Sequence, residues 1–175
     1  IKICDIECVF GNKDILNTDI SYLLFDSRRL NFTENTIFFA LKTQNNDGHK
    51  FIKELYDKGL RCFICQDVPD TSNLKDAIFL KVNDTLKALQ KLASFARESF
   101  KKEVIAITGS NGKTIVKEWI VQLIENTKKI CYSPRSYNSQ IGVALSLWQL
   151  NEEFELGLFE AGISKPNEME KLQEM

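Results

Sequence analysis

The chain has 175 residues, 43% of them hydrophobic and 27% charged, which is enough apolar material for a packed core and excludes a disordered chain or a disulfide mini-scaffold. Its 23 Lys and Arg stand against 24 Asp and Glu, a net charge of -1, so no broad basic field for nucleic acid or anionic lipid is implied and any bound anion must be met locally. Apolar runs such as Tyr22 to Phe25 or Val104 to Ile107 fall far short of the roughly 20 residues that span a bilayer, and no signal-peptide pattern opens the chain. The expectation is a cytoplasmic protein without membrane insertion. The start at Ile1 and the stop at Met175, inside a predicted helix, lead us to expect a piece of a longer protein.

In chain order, Ile20 to Phe25 and Thr36 to Leu41 read as short strands, and Gly48 to Lys58 carries Phe51, Ile52, Leu55 and Tyr56 at helical spacing, closed by Gly59. Strands follow at Arg61 to Cys65 and Ala77 to Val82. Asp84 is the expected N-cap of a long amphipathic helix to about Lys101, with Leu86, Leu89, Leu92, Ala93, Ala96 and Phe100 inward. Phe38, Phe39, Phe63, Phe79, Phe95 and Phe100 are expected to pack in the core. Five cysteines, an odd number without a signal peptide, argue for reduced thiols. Cys62 and Cys65 match C-x-x-C, but positions i and i+3 of a strand face opposite ways, so buried small hydrophobes are expected rather than a metal site.

From Glu103 the rhythm changes to strand (Val104 to Ile107), glycine loop, helix (about Lys113 to Asn126), strand (Ile130 to Ser133), helix (about Ser139 to Leu150) and strand (Glu155 to Phe159). Such alternation implies a parallel sheet covered by helices. The fold class read from the chain is α/β: a small N-terminal α/β substrate domain over 1–101, then the first part of a P-loop parallel-sheet ATP-binding domain over 102–175.

Thr108-Gly-Ser-Asn-Gly-Lys-Thr114 lies directly between a strand and an amphipathic helix. Gly109 and Gly112 can turn successive backbone N–H groups toward an oxyanion, the helix start adds partial positive charge, and Lys113 adds a full one. Thr114 can offer a hydroxyl to Mg²⁺. The longer pattern G-x-x-x-x-G-K-[ST] would need glycine at Ile107, so the match is to the short T-G-x-x-G-K-T form. An ordinary strand-to-helix turn is the bland alternative.

With this loop the sequence resembles the ATP-dependent Mur ligase family of peptidoglycan precursor synthesis. Asp26-Ser-Arg28, Thr36-Ile-Phe-Phe-Ala-Leu41 and Asp47-Gly-His49 resemble the uridine-nucleotide domain of the two later ligases. Tyr137-Asn-Ser-Gln-Ile-Gly-Val143 and Phe159-Glu-Ala-Gly162 resemble the family's later segments. Lys117-Glu118, Glu160 to Pro166 and Glu168-Met169 are most like the member that joins D-Ala-D-Ala to UDP-MurNAc-tripeptide, in wording similar to a bacteroidete form fused to an alanine racemase. Ala144, Ser139 and Asn167 depart from the usual Pro, Asn and Gly.

The resemblance implies ATP and Mg²⁺ as cofactors, UDP-MurNAc-tripeptide and D-Ala-D-Ala as partners, and the remaining central and C-terminal domains of a parent chain, without which this piece should not ligate. It implies ATP contacts from Thr108, Gly109, Ser110, Asn111, Gly112, Lys113 and Thr114, catalytic roles for Lys113 and Glu160, and metal binding by Thr114 and Glu160. Substrate contacts are implied for Ser27, Arg28, Gln44, Asn45, Asn46, Asn138, Ser139 and Gln140. Each has a plainer reading: a turn salt bridge for Asp26 with Arg28 or Arg29, a polar loop at Thr43 to Asp47, helix capping at Asn138 or Ser139, and an exposed strand-end charge at Glu160. His49 is expected to orient its loop, and Arg135 to meet either phosphate or solvent. The alternatives are the sister ligase that adds the third stem residue and a non-catalytic nucleotide-binding module.

Overall fold

Three phenylalanines in register organise the first half of the chain. In this computed structural model, which describes residues 4–43, 46–163 and 166–175, Phe38, Phe63 and Phe79 sit side by side on neighbouring parallel strands. The Phe63 and Phe79 rings stack at 5.2 Å and the Phe38 and Phe63 rings meet edge-on at 6.4 Å. All three are fully buried. Their strands are β3 (Thr36–Phe39), β4 (Cys62–Cys65) and β5 (Ile78–Lys81), extended outward by β2 (Tyr22–Leu24) and by β1 (Cys8–Gly11), which pairs antiparallel with β5. The order is β1-β5-β4-β3-β2. Because strand side chains alternate, Phe39, Ile64 and Leu80 form a second buried row on the opposite face.

The predicted helix at Gly48 opens as a 3₁₀ turn (Gly48–Phe51) and continues as α1 (Ile52–Asp57), whose Ile52 and Leu55 enter the phenylalanine core. Gly59 N–H closes it on Tyr56 O. The long helix α2 (Thr85–Ser99) begins at Asp84, whose carboxylate accepts from Leu86 N and Lys87 N as expected of an N-cap. Two compact units divide the chain between Leu89 and Gln90, inside this helix. Thr85 Oγ1 donates to Ala40 O in the first unit, whereas Ser94 Oγ donates to Glu174 O in the second. The compositional break at Lys101-Lys102 follows the end of the helix.

Phe95 corrects the expected core. It is 48% exposed and lines an open groove with Phe100, Trp148 and Leu150, because Ala88, Leu89 and Ala93 hold the buried stripe of α2. The cysteines behave as small hydrophobes: Cys4, Cys62, Cys65 and Cys131 are buried and Cys8 is exposed. Burial pushes the Cys62 and Cys131 thiols up to about 11 and Cys65 up to about 12, far from the thiolate form that binds metal or reacts.

The second unit is a parallel sheet of order β6-β8-β7, formed by β6 (Glu103–Ile107), β7 (Ile130–Tyr132) and β8 (Leu156–Glu160). The helices are α3 (Lys113–Ile124), α4 (Gln140–Leu147) and α5 (Glu168–Gln173). β8 is buried along its whole length, as a central parallel strand must be. Among the described residues no helix is long and apolar enough to cross a membrane.

Candidate functional site

Parallel pairing decides where the chemistry gathers. The β6 and β8 register sets Ile107 directly beside Glu160, so the loop that leaves β6 and the acid that ends β8 share the C-terminal edge of the sheet, the edge at which open α/β sheets bind ligands. Gly109 at φ 147° and Gly112 at φ 75° turn the loop between them, conformations that side chains with a Cβ rarely adopt. Gly112 is also the N-cap of α3 and supplies no side-chain cap. The helix therefore starts without a capping oxygen, and its first-turn N–H groups and partial positive charge are offered to an outside anion. Thr108, Ser110 and Asn111 are exposed around the same opening. Lys113 folds back to donate to Gly109 O at 2.6 Å, which keeps its ammonium over the loop.

Thr114 and Glu160 meet. Thr114 Oγ1 donates to Glu160 Oε2 at 3.0 Å, and Glu160 itself is fully buried. The plain reading of Glu160 as an exposed strand-end charge is therefore wrong. Its second oxygen, Oε1, makes no aligned hydrogen bond. Lys117 Nζ lies 3.0 Å from that oxygen as an ion pair outside hydrogen-bonding alignment. A hydroxyl and a buried carboxylate with unused acceptor capacity, beside a phosphate loop, are the hard oxygen donors that a magnesium-type cation takes.

The turn after β7 reaches the same edge. Gly162 N donates to Asn138 O at 2.8 Å, and a Cβ at Gly162 would lie 2.8 Å from Asn138 Cγ. Ser139 is the N-cap of α4, its Oγ accepting from Gly142 N at 3.2 Å. Gln140 is tied on both sides, donating to Glu168 Oε1 and accepting from Gln90 Nε2. Arg135 is exposed, with its backbone in the left-handed region at φ 53°.

The substrate candidates of the first unit are arranged differently. Ser27 is buried at the start of a 3₁₀ turn (Ser27–Arg29), and Arg28 is exposed. Asp26 caps that turn and grips the Arg28 guanidinium through both oxygens, at 2.9 and 2.8 Å. The Arg28 guanidinium holds the Asp26 carboxyl below its usual range. Asn46 is exposed and its backbone closes a turn with Thr43, while Gln44 and Asn45 lie outside the described residues. His49 Nε2 accepts from Gln66 N and Asp67 N, so its proton sits on Nδ1, facing Asp47 Oδ1 at 2.6 Å. The two bonds from His49 to Asp47, backbone N–H first, lower the Asp47 carboxyl. The ring thus ties the Asp47 turn to the end of β4.

Sequence reasoning assigned no role in this site to Lys117 or Ser133. Ser133 Oγ accepts from Glu160 N at 3.0 Å, and Lys117 donates to Ser133 O and Arg135 O. A signal was available for Lys117: it follows Thr114 by three residues and Lys113 by four, which places all three on one helix face.

A phosphate loop on a parallel strand, with a buried acid on the neighbouring strand end, defines a P-loop nucleotide-binding α/β protein. The family model for the Mur ligase middle domain matches residues 107–175. Over 94% of its length the chain is 33% identical to the UDP-N-acetylmuramoyl-tripeptide--D-alanyl-D-alanine ligase of Borreliella burgdorferi, of which it covers 37%. The crystal structure of MurF from Acinetobacter baumannii superposes with a TM-score of 0.80 at 29% identity, over 89% of this chain and 33% of that one. MurF ligase from Thermotoga maritima in complex with ADP gives 0.72 at 27%, over 92% and 36%. The chain is similar to Mur ligases along most of its length. It spans about a third of the length of the curated relatives it matches.

Proposed function

We propose that the chain carries the uridine-nucleotide domain and the phosphate-binding half of a cytoplasmic, ATP-dependent ligase that joins D-Ala-D-Ala to UDP-MurNAc-tripeptide. The observation that carries this is the uncapped, glycine-turned loop of residues 108–114 set in register beside the buried acid Glu160, in a chain whose relatives bear that activity in their names.

The reaction activates the tripeptide carboxylate by transfer of the γ-phosphoryl group of ATP, releasing ADP, and the D-Ala-D-Ala amine then attacks the acyl carbon, forming the amide and expelling inorganic phosphate. What such a transfer asks of the protein is positioning and charge neutralisation. Backbone N–H groups from Ser110 to Gly112 and the start of α3 bind the phosphate oxygens, and Lys113 leaves Gly109 O to lie against them. Thr114 and Glu160 would hold Mg²⁺, which when bound neutralises charge on the phosphates. Asn138, Ser139 and Gln140 stand at the acceptor side of the same edge. In the first unit, Ser27, Arg28, Gln44, Asn45 and Asn46 bind the uridine nucleotide. Alone, the chain should not join these ligands.

Calorimetric titration of the chain tests the reading. UDP-MurNAc-tripeptide should bind and be lost on Ser27→Ala, while ATP affinity should fall about tenfold or more on Lys113→Ala, the loss expected when a charge-assisted phosphate contact is removed. In the full-length product of the gene, phosphate release should require both UDP-MurNAc-tripeptide and D-Ala-D-Ala. Binding of neither ligand by the full-length protein, or release that ignores D-Ala-D-Ala, would overturn the reading.

A further inference from the structure

Among the described residues, Lys117 is the one fully buried lysine. An ammonium without solvent is costly unless it is paired and hydrogen-bonded, and this one is given partners from three elements. Nζ donates to Ser133 O at 2.7 Å and Arg135 O at 2.6 Å, and lies 3.0 Å from both Glu118 Oε1 and Glu160 Oε1. The Tyr132 ring stands 5.9 Å away. Two of these contacts bear on the site. Arg135 holds a left-handed backbone without being glycine, a state that persists only where the surroundings enforce it, and its carbonyl is fastened by Lys117. The Glu160 oxygen facing Lys117 is also the buried one that makes no hydrogen bond, while its other oxygen receives the Thr114 hydroxyl. The carboxylate is thus divided, one oxygen toward Lys117 and one toward Thr114 at the end of the phosphate loop.

We propose that Lys117 is a positioning residue for the nucleotide site: by holding Oε1 of Glu160 it presents Oε2 to Thr114 and to a cation, and by holding two carbonyls it fixes the turn that leads to Asn138. The inference rests on the nucleotide reading above and goes beyond it, since Lys117 acts only through Glu160 and the turn. Without the ammonium, Glu160 has no reason to keep that rotamer in a solvent-free site, and it leaves Thr114.

The test uses the full-length product of the gene with Lys117→Met, Glu160→Gln and the double variant. Mn²⁺ binding in the presence of ADP is followed by the paramagnetic resonance of the free ion, and ADP binding without metal is measured in EDTA. Lys117→Met should weaken Mn²⁺ binding about tenfold or more, the usual effect of removing the group that orients a metal ligand, and should leave metal-free ADP affinity within about twofold. In the Glu160→Gln background the same change should alter Mn²⁺ affinity by less than about twofold, because the two residues act as one. Lys117→Gln, which keeps a donor for the carbonyls, is measured alongside by the same criteria in case the Met variant does not fold. Unchanged or tighter Mn²⁺ binding in a folded variant would mean that the ammonium merely competes with the cation and would overturn the proposal. Equal losses in both backgrounds, or failure of both variants to fold, would assign Lys117 a structural role and overturn it as well. A wild-type protein that bound no ADP would instead remove the nucleotide reading, and this proposal with it.

Discussion

Two places in the molecule put an acid and a base together after a parallel strand, and they are satisfied in opposite ways. At Asp26 and Arg28 the carboxylate uses both oxygens on the guanidinium beside it, and the arginine side chain is 86% exposed. The pair is complete and hydrated. At Glu160 and Lys117 both side chains have no exposure at all, and one carboxylate oxygen lacks a hydrogen bond. What separates the two is burial: charges that water can reach settle by local pairing, whereas charges at the end of a central strand keep a structural grip on their neighbours and retain capacity for a ligand.

Breaking the buried partnership should give the largest effect. Glu160→Gln leaves the Lys117 ammonium with Glu118 and two carbonyls, and should cost about 3 kcal/mol of stability. That is the low end for opening a buried pair, because Glu118 remains. Asp26→Asn, the matched change in the first unit, keeps a capping side chain and should leave urea unfolding indistinguishable from wild type. Equal losses at the two sites would end the distinction.

Ser139 sharpens the comparison from a second side, since it is both a candidate ligand contact and the N-cap of α4. Ser139→Ala should cost about 1 kcal/mol through the cap alone, and Ser139→Asn should recover most of it. If Ser139→Asn restores stability but not substrate affinity, the hydroxyl has a role beyond the cap. If it restores both, capping accounts for the residue.

Much of this was legible in the sequence because the relevant signals are local. The strand, glycine loop and helix that make the phosphate site are contiguous, and the residues after Asp84 carry their own cap and apolar stripe. The resemblance sets Asn167 against a usual glycine, and its φ of 65° is a backbone that asparagine, among few side chains, tolerates. Other features were not legible. β1 is an edge strand with little burial, so it carries no alternating pattern. Phe95 lies near the apolar stripe of α2, yet only packing decides that it is exposed. Lys117 reads as a solvated lysine on an amphipathic helix until the ends of β7 and β8 close around it.

The smallest effect tests whether Arg28 belongs to its turn or to a ligand. The guanidinium side chain is the first cause of the lowered Asp26 carboxyl, opposed by burial and aided by Arg28 N–H and Arg29. With the folded value below the ordinary 3.8, the pair's contribution is present above that pH and is lost as pH falls through the folded value. Carbon NMR of the Asp26 carboxyl should follow this titration directly. Arg28→Ala should move it upward while leaving part of the shift, because the backbone N–H of residue 28 still donates. UDP-MurNAc-tripeptide makes the decisive comparison. If Arg28 turns to a phosphate or carboxylate of the ligand, its hold on Asp26 loosens and the carboxyl titrates at higher pH in the complex. An Asp26 titration that the bound ligand leaves unmoved would assign Arg28 to the turn alone, and the uridine contacts proposed for this unit would then fall to Ser27 and residues 44–46.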